Sequence, residues 1–135
     1  MSWPGTTSAN DEVYDLKVSL TTRFRFEASH RLEHLPASHP CHNLHGHSYE
    51  VGVEVSGEVD EATGFLIDYS DLARIAGPVV RQLDHKHLND VEGLDITSSE
   101  HIARWLWVRI KEKLPILSKI TIYETGDCSC EYSGE

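Results

Sequence analysis

Long apolar runs are missing from this sequence, and so is any concentration of positive charge. The chain has 135 residues, of which 39% are hydrophobic, and its uninterrupted apolar stretches are only a few residues long. About 20 such residues are needed to span a bilayer, so a transmembrane helix is excluded. The 12 Lys and Arg residues are outnumbered by 22 Asp and Glu, for a formal net charge of −10. A nucleic-acid binder is disfavoured because this charge repels phosphate backbones.

Cysteine is also scarce, with three in the chain. The N-terminal segment has no basic region followed by an apolar core, so we expect no secretory signal and a cytoplasmic protein with reduced thiols. The length fits one domain. Residues 1–12 are polar, contain a Pro-Gly pair and show no periodicity. They predict a poorly ordered leader, which leaves residues 13–135 as a single domain.

Alternation of apolar and polar residues predicts two long strands in the first half of the chain. Residues 16–30 alternate throughout, and residues 48–57 do the same after an irregular, proline-containing segment at 31–43. Near the C-terminus, residues 119–124 and 128–132 flank a Gly-Asp turn and predict two further strands.

Two helices are predicted between these strand pairs. Asp68 can cap the first helix, whose apolar residues recur at steps of three and four, and Gly77-Pro78 should kink or split it. The segment Thr97-Ser98-Ser99-Glu100 has the form of a capping box that opens the second helix, and Pro115 stops it. This order of elements favours an α+β layer with an antiparallel sheet.

Histidine is the outlier in the composition, because six of the nine histidines lie between His30 and His47. His30 falls on the apolar face of the first strand, and His45 and His47 share the parity of the apolar residues of the second strand. If the two strands pair as antiparallel neighbours, the three imidazoles converge. They would offer Zn²⁺ three nitrogen ligands with a fourth position open. Iron or copper would accept the same ligands. No role is expected for the other three histidines of this segment, His34, His39 and His42.

Cys41 lies four residues before His45, and this spacing leaves two alternatives open. Cys41 is either a fourth ligand that closes a structural zinc site or a free thiolate base beside the metal, where positive charge would lower its pKa. Cys128 and Cys130 have no second cysteine pair nearby, and we interpret them as structural.

Acidic residues supply further candidates for chemistry. Asp84-His85 is a pairing that orients an imidazole and raises its basicity, although helix ends also favour such residues. Glu124 shares parity with apolar neighbours, so its carboxylate is expected to point to the buried side, where it needs a partner such as a ligand with N–H donors. Glu100 either completes the capping box or offers its carboxylate to a ligand.

Five segments in this order resemble the 6-pyruvoyltetrahydropterin synthase family, over about residues 16–135. The short Cys-x-x-x-His-Gly-His spacing is most similar to the bacterial branch that makes 6-carboxy-5,6,7,8-tetrahydropterin in queuosine biosynthesis. The segments are Phe24-x-Phe26-Glu27-Ala28-Ser29-His30-Arg31-Leu32, Cys41-His42-Asn43-Leu44-His45-Gly46-His47-Ser48, Leu83-Asp84-His85-x-x-Leu88-Asn89, Ser98-Ser99-Glu100 and Tyr123-Glu124-Thr125.

This resemblance implies a tunnelling fold, with a four-stranded antiparallel sheet and two helices on one face. Subunits of such a fold join their sheets into a barrel and usually stack as a homohexamer, a dimer of trimers. The resemblance also implies a zinc ion on the three histidines His30, His45 and His47, with the side-chain hydroxyls of the substrate at the open positions.

The resemblance further implies a zinc-dependent carbon–oxygen lyase. Its substrate is 7,8-dihydroneopterin triphosphate, and its products are 6-carboxytetrahydropterin, acetaldehyde and triphosphate. Cys41 is then the proton acceptor, and Asp84-His85 of a neighbouring subunit is the relay. Glu124 anchors the pterin ring. The other substrate-binding residues implied are Ser98, Ser99 and Glu100.

Two other readings stay open at this point. One is the same fold making 6-pyruvoyltetrahydropterin or cleaving the side chain, and the other is a non-catalytic zinc or pterin binding module. Arg31 and Lys86 are candidate triphosphate contacts, and the resemblance assigns neither of them.

Overall fold

The computed structural model describes residues 15–135, so the leader predicted at residues 1–12 lies outside the described part of the chain. The strands and helices follow in the order β1 (Lys17–His30), β2 (His45–Glu58), α1 (Tyr69–Arg81), β3 (Lys86–His87), α2 (Ser99–Lys113), β4 (Leu117–Thr125) and β5 (Cys128–Tyr132). Short 3-10 turns lie at Pro40–His42 and Leu88–Asp90.

Over residues 15–135, the sheet has five strands in the order β3-β1-β2-β4-β5. The predicted four-stranded antiparallel sheet is therefore wrong in number and in direction, because β3 pairs with β1 in parallel. A two-residue strand has no periodicity that a sequence could reveal. The backbone N–H of His85 donates to the Glu27 carbonyl at 2.6 Å, and His85 itself has a φ of 60°. These local features turn the chain so that β3 lies along the edge of β1.

The alternation of β1 and β2 is confirmed by their burial and by their pairing. The two strands are antiparallel over their full length, with His30 opposite His45 and Ala28 opposite His47. The pairing places the C-terminal end of β1 beside the N-terminal end of β2, as the histidine argument required. Residues directly opposite each other in a sheet project from the same face.

One face of the sheet carries the hydrophobic core, and both helices pack on that face. Tyr49, Val51 and Val53 of β2 are fully buried there against Leu72 of α1 and Leu106 of α2. The opposite face carries polar residues, including the Arg23–Glu50 ion pair at 2.7 Å. The α+β class and the two helices are therefore as predicted.

Helix α1 begins as predicted, since the Asp68 carboxylate accepts from the Ser70 backbone N–H at 2.8 Å. The helix is not split at Gly77-Pro78, however, and continues to Arg81. Buried Ala76 and Val79 on either side of this pair keep the helix packed on the sheet. That packing outweighs the one backbone hydrogen bond that proline removes.

Helix α2 begins one residue later than the capping box predicted. Ser98 is the N-cap and accepts from the His101 N–H at 3.4 Å, so Glu100 does not occupy the third helical position that a capping box requires. Thr97 is fully buried and bonds to His30 instead. The helix ends at Lys113, before Pro115, as predicted. Within residues 15–135, no helix is long and apolar enough to cross a membrane.

Replacement of Leu106 by alanine should lower the free energy of unfolding by about 2–5 kcal/mol, because it leaves a cavity between α2 and the sheet. Urea unfolding followed by circular dichroism measures this change. Val108→Ala is the matched control on the same helix, since Val108 is 50% exposed. Its expected effect is within about 0.5 kcal/mol. Equal effects of the two substitutions would contradict the helix orientation described above.

Candidate metal centre and active site

The three histidines of β1 and β2 converge at one end of the sheet. The ring centroid of His30 lies 4.6 Å from that of His45 and 5.2 Å from that of His47, and the two rings of β2 are 5.0 Å apart. Potential ligand atoms of these three residues and of Glu124 all lie within 4.8 Å of one another. The predicted convergence of the imidazoles is therefore present in the structure.

Backbone carbonyls fix the orientation of two of these rings. His30 Nδ1 lies 2.8 Å from the Thr97 carbonyl, and His45 Nδ1 lies 2.7 Å from the Asn43 carbonyl. A carbonyl only accepts hydrogen bonds, so each Nδ1 carries the proton and each Nε2 keeps its lone pair. Burial lowers the pKa of His30, which favours the neutral form that binds metals.

His47 gives the clearest indication of an additional ligand. Its Nε2 is buried and has no hydrogen-bond partner among the described residues. This atom lies 2.8 Å from Glu124 Oε2, but without hydrogen-bond geometry. A buried polar atom without a partner is costly. A divalent metal bound by the three imidazoles would satisfy it, so the residues present fit a metal such as zinc.

Glu124 stands at the C-terminal end of β4, beside the imidazoles. Its Oε1 accepts from the Ser99 hydroxyl at 3.1 Å, and its Oε2 lies 4.0 Å from His30 Nε2. The side chain is 33% exposed, so the carboxylate is less buried than its strand parity predicted. It can therefore serve either as a fourth metal ligand or as an acceptor for the N–H groups of a bound molecule.

Cys41 lies in the 3-10 turn at Pro40–His42 and is half-buried. Its N–H donates to His39 Nδ1 at 3.1 Å, and its carbonyl accepts from the Leu32 N–H at 2.8 Å. The cluster of potential ligands formed by the three histidines and Glu124 contains no cysteine. This arrangement favours the free thiol over the fourth zinc ligand.

Asp84 and His85 lie between α1 and β3. Asp84 Oδ1 accepts from the Glu27 N–H at 2.9 Å and lies 3.1 Å from His85 Nδ1. The bond from the Glu27 N–H lowers the pKa of Asp84, and the contact with His85 adds to this effect. The His85 ring is largely exposed. It lines a cavity of about 550 Å³ that His47 also lines.

The remaining candidate residues lie on α2, in the loop between β1 and β2 and on β5, and each has its own contacts. Ser98 bonds to the His101 ring at 2.8 Å, Ser99 bonds to Glu124, and Glu100 is exposed. His42 Nδ1 donates to the Leu35 carbonyl at 2.9 Å. The three loop histidines lie outside the ligand cluster. Cys128 and Cys130 are free thiols on β5 and lie outside that cluster too.

Three residues of the site were missed by the sequence reasoning. Thr97 orients His30, and the Tyr49 hydroxyl lies 3.3 Å from His30 Nε2. Burial, with the charge of Glu124 as a second cause, raises the pKa of Tyr49 and keeps its hydroxyl protonated. Asn89 exchanges two hydrogen bonds of 2.9 Å with the backbone of Arg31, at the end of β1. Of these three residues, Tyr49 alone could have been placed at the site from the alternation of β2, because it shares the parity of His45 and His47.

The chain is similar to known proteins in sequence and in fold. The sequence profile of the family described as 6-pyruvoyl tetrahydropterin synthase matches residues 19–135. The human 6-pyruvoyl tetrahydrobiopterin synthase is 35% identical over 135 residues, covering 88% of this chain and 93% of that protein. The 6-carboxy-5,6,7,8-tetrahydropterin synthase of Synechocystis is 36% identical over 115 residues, covering 81% and 88%.

A solved structure is similar over nearly the whole described fold. The 6-pyruvoyl tetrahydropterin synthase of Caenorhabditis elegans superposes with a TM-score of 0.83 at 29% identity, covering 91% of this chain and 100% of that one.

We expect the protein to bind one equivalent of Zn²⁺ per chain and His47→Ala to weaken that binding by about 100-fold or more, because one of three nitrogen ligands is lost. Competition with a chromophoric chelator measures the affinity. His34→Ala, at an exposed loop position, is the control and should bind zinc like the wild type. Equal zinc affinity of wild type and His47→Ala would rule out this centre.

Proposed function

The chain belongs to the 6-pyruvoyl tetrahydropterin synthase family, and on that premise we propose that it converts 7,8-dihydroneopterin triphosphate and water to 6-carboxy-5,6,7,8-tetrahydropterin, acetaldehyde and triphosphate. This reaction is a step of queuosine biosynthesis. The observation that carries the proposal is the cluster of three imidazoles and one carboxylate at the end of the sheet. The spacing from Cys41 to His45 and the similarity to the Synechocystis synthase favour the carboxy-forming branch.

In this proposal, Glu124 anchors the pterin. The pyrimidine edge of a pterin presents adjacent N–H donors, and a carboxylate accepts two of them side by side. Ser99 donates to Oε1 of this carboxylate and fixes its orientation. Ser98 starts the helix that carries Ser99, and Glu100 offers a second carboxylate at the same helix end.

Residues around the imidazoles move the protons. Cys41, free of the ligand cluster, accepts a proton from the substrate side chain, and Asp84-His85 of a neighbouring subunit relays protons. Zinc bound by His30, His45 and His47 would polarise a side-chain oxygen of the substrate. Tyr49 and Thr97 hold His30 in place for that role.

We also propose a homohexamer, a dimer of trimers, in which Asp84-His85 serves the site of a neighbouring subunit. Within residues 15–135, most of β1 has no partner strand on its outer side, since β3 pairs with Ala28 and Ser29 alone. The outer side of β5 is likewise an edge of the described sheet. Neighbouring copies would cover these edges, which otherwise invite non-specific pairing.

A second candidate function is formation of 6-pyruvoyltetrahydropterin. The similarity to the human 6-pyruvoyl tetrahydrobiopterin synthase favours it, because that alignment covers 88% of this chain. Both reactions would use the same imidazoles and the same carboxylate. They differ only in their products.

Incubation of the zinc-loaded protein with 7,8-dihydroneopterin triphosphate should yield 6-carboxytetrahydropterin and an equal amount of acetaldehyde. Mass spectrometry of the pterins and an enzymatic acetaldehyde assay measure both products. Pyruvoyltetrahydropterin without acetaldehyde would support the second candidate function instead. Unchanged substrate in the presence of bound zinc would contradict both and leave a binding module.

Cys41→Ala should reduce turnover by about 100-fold or more, the usual contribution of a positioned proton acceptor, while zinc content stays at the wild-type level. Steady-state kinetics and metal analysis of the purified variant measure the two quantities. Cys128→Ala, at an exposed position on β5, is the control and should leave both unchanged. Loss of zinc from Cys41→Ala would identify Cys41 as a structural ligand.

A further inference from the structure

The loop between β1 and β2, residues 31–44, carries Cys41 and is tied together by the side chain of His42. His42 Nδ1 lies 2.9 Å from the Leu35 carbonyl, and its Nε2 lies 3.0 Å from Arg31 Nη2. A carbonyl only accepts hydrogen bonds and a guanidinium only donates them, so the ring donates at Nδ1 and accepts at Nε2. This one side chain therefore connects the first residue of the loop to its middle.

Arg31 adds a second hydrogen bond to the same residue. Its Nε donates to the His42 carbonyl at 3.1 Å, so its guanidinium contacts both the backbone and the ring of His42. A planar guanidinium has the fixed set of donors that such a double contact needs, and lysine has not. The Arg31 backbone is itself held, because Asn89 exchanges two hydrogen bonds with it and the Thr97 hydroxyl donates to its carbonyl at 3.3 Å. The contacts to His42 thus start from a fixed point at the end of β1.

The turn that contains His42 also contacts the candidate metal centre. Asn43 follows His42, and its carbonyl lies 2.7 Å from His45 Nδ1. Cys41 precedes His42, and its carbonyl accepts from the Leu32 N–H at 2.8 Å. His42 therefore lies between the residue that carries the thiol and the residue that orients one of the imidazoles.

A short turn needs such support to hold a reactive thiol in one place. The 3-10 turn at Pro40–His42 is three residues long, and a single turn of helix is marginal by itself. A proton acceptor needs a fixed distance from its substrate, because a misplacement of about 1 Å can cost 100-fold in rate. We propose that His42 is a positioning residue, which together with Arg31 holds the Cys41 thiol beside the imidazoles. This inference rests on the proposed function, in which Cys41 accepts a proton.

Replacement of His42 by alanine should lower kcat by about 10-fold or more, because the thiol is no longer held at a fixed distance from the substrate. KM and zinc content should stay at the wild-type level, since Glu124 and all three imidazoles remain. Steady-state kinetics and metal analysis measure these quantities. His34→Ala, at an exposed position of the same loop, is the matched control and should leave all of them unchanged. Loss of zinc from His42→Ala would show that His42 supports the metal centre instead and would overturn the proposal.

The Cys41→Ala background separates positioning from a merely structural role. If His42 acts through the thiol, His42→Ala should cause no further loss of kcat in a chain that already lacks Cys41. A structural role would lower kcat by the same factor in both backgrounds, and that result would overturn the proposal.

Arg31→Lys separates the double contact from a simple effect of charge. The substitution keeps the positive charge but loses the planar set of donors, so kcat should fall as it does in His42→Ala while KM stays unchanged. An unchanged kcat with a raised KM would make Arg31 a contact of the triphosphate and overturn its part in holding the loop.

Alkylation by iodoacetamide reports on the thiol without turnover. Peptide mapping by mass spectrometry follows Cys41 separately, and the exposed thiol of Cys128 is the internal reference. His42→Ala should raise the alkylation rate of Cys41 relative to Cys128 by about 3-fold or more, because a lost hydrogen bond increases the population of open loop conformations. An unchanged or lower ratio would overturn the proposal.

The two proposals fail in different ways. Full turnover by Cys41→Ala, or no turnover by the zinc-loaded wild-type protein, overturns the proposed function whatever the alkylation shows. A defective Cys41→Ala beside a fully active His42→Ala overturns the role of His42 alone and leaves the pterin reaction intact.

Discussion

The antiparallel pairing of β1 with β2 sets the position of every group in the candidate site. The register aligns His30 with His45 and Ala28 with His47, so three imidazoles project from one face at one end of the sheet. A slip of one residue would turn the histidines of one strand to the polar face. The buried row of Tyr49, Val51 and Val53 prevents such a slip, because these side chains would also leave the core. The hydrophobic core thereby fixes the geometry of the ligands.

The rest of the site is arranged around this pair of strands. Helix α2 brings Ser99 to Glu124, and the residue before its N-cap, Thr97, fixes the ring of His30. The turn after α1 places Asp84 and His85 at the edge of β1, where β3 begins. Backbone carbonyls hold two of the three imidazoles, those of His30 and His45, with Nε2 directed into the cluster. Metal binding would then stabilise the folded chain by mass action.

Much of this arrangement was predictable from the sequence, because period-two patterns state which face a residue occupies. The shared face of His30, His45 and His47 followed from parity alone, as did the orientation of Glu124. Parity does not predict how deeply a side chain is buried. The 33% exposure of Glu124 was therefore not foreseen. Strand β3 could not be predicted, since two residues carry no period.

Contacts between distant segments explain the other differences. Thr97 was predicted to cap α2, but it is buried against His30, 67 residues away in sequence, and Ser98 takes the cap. Gly77-Pro78 was predicted to kink or split α1, and packing keeps the helix unbroken to Arg81. The two roles of Cys41 could not be separated by spacing, because the answer depends on where the 3-10 turn at Pro40–His42 holds the thiol.

X-ray absorption at the zinc edge tests the central claim most directly, because it reports the ligand atoms of the bound metal. For the zinc-loaded protein, the account predicts a shell of nitrogen and oxygen ligands at about 2.0–2.1 Å and no sulfur. A zinc–sulfur distance of about 2.3 Å would contradict it. That result would make Cys41 part of a closed structural centre and would remove the proton acceptor from the proposed reaction.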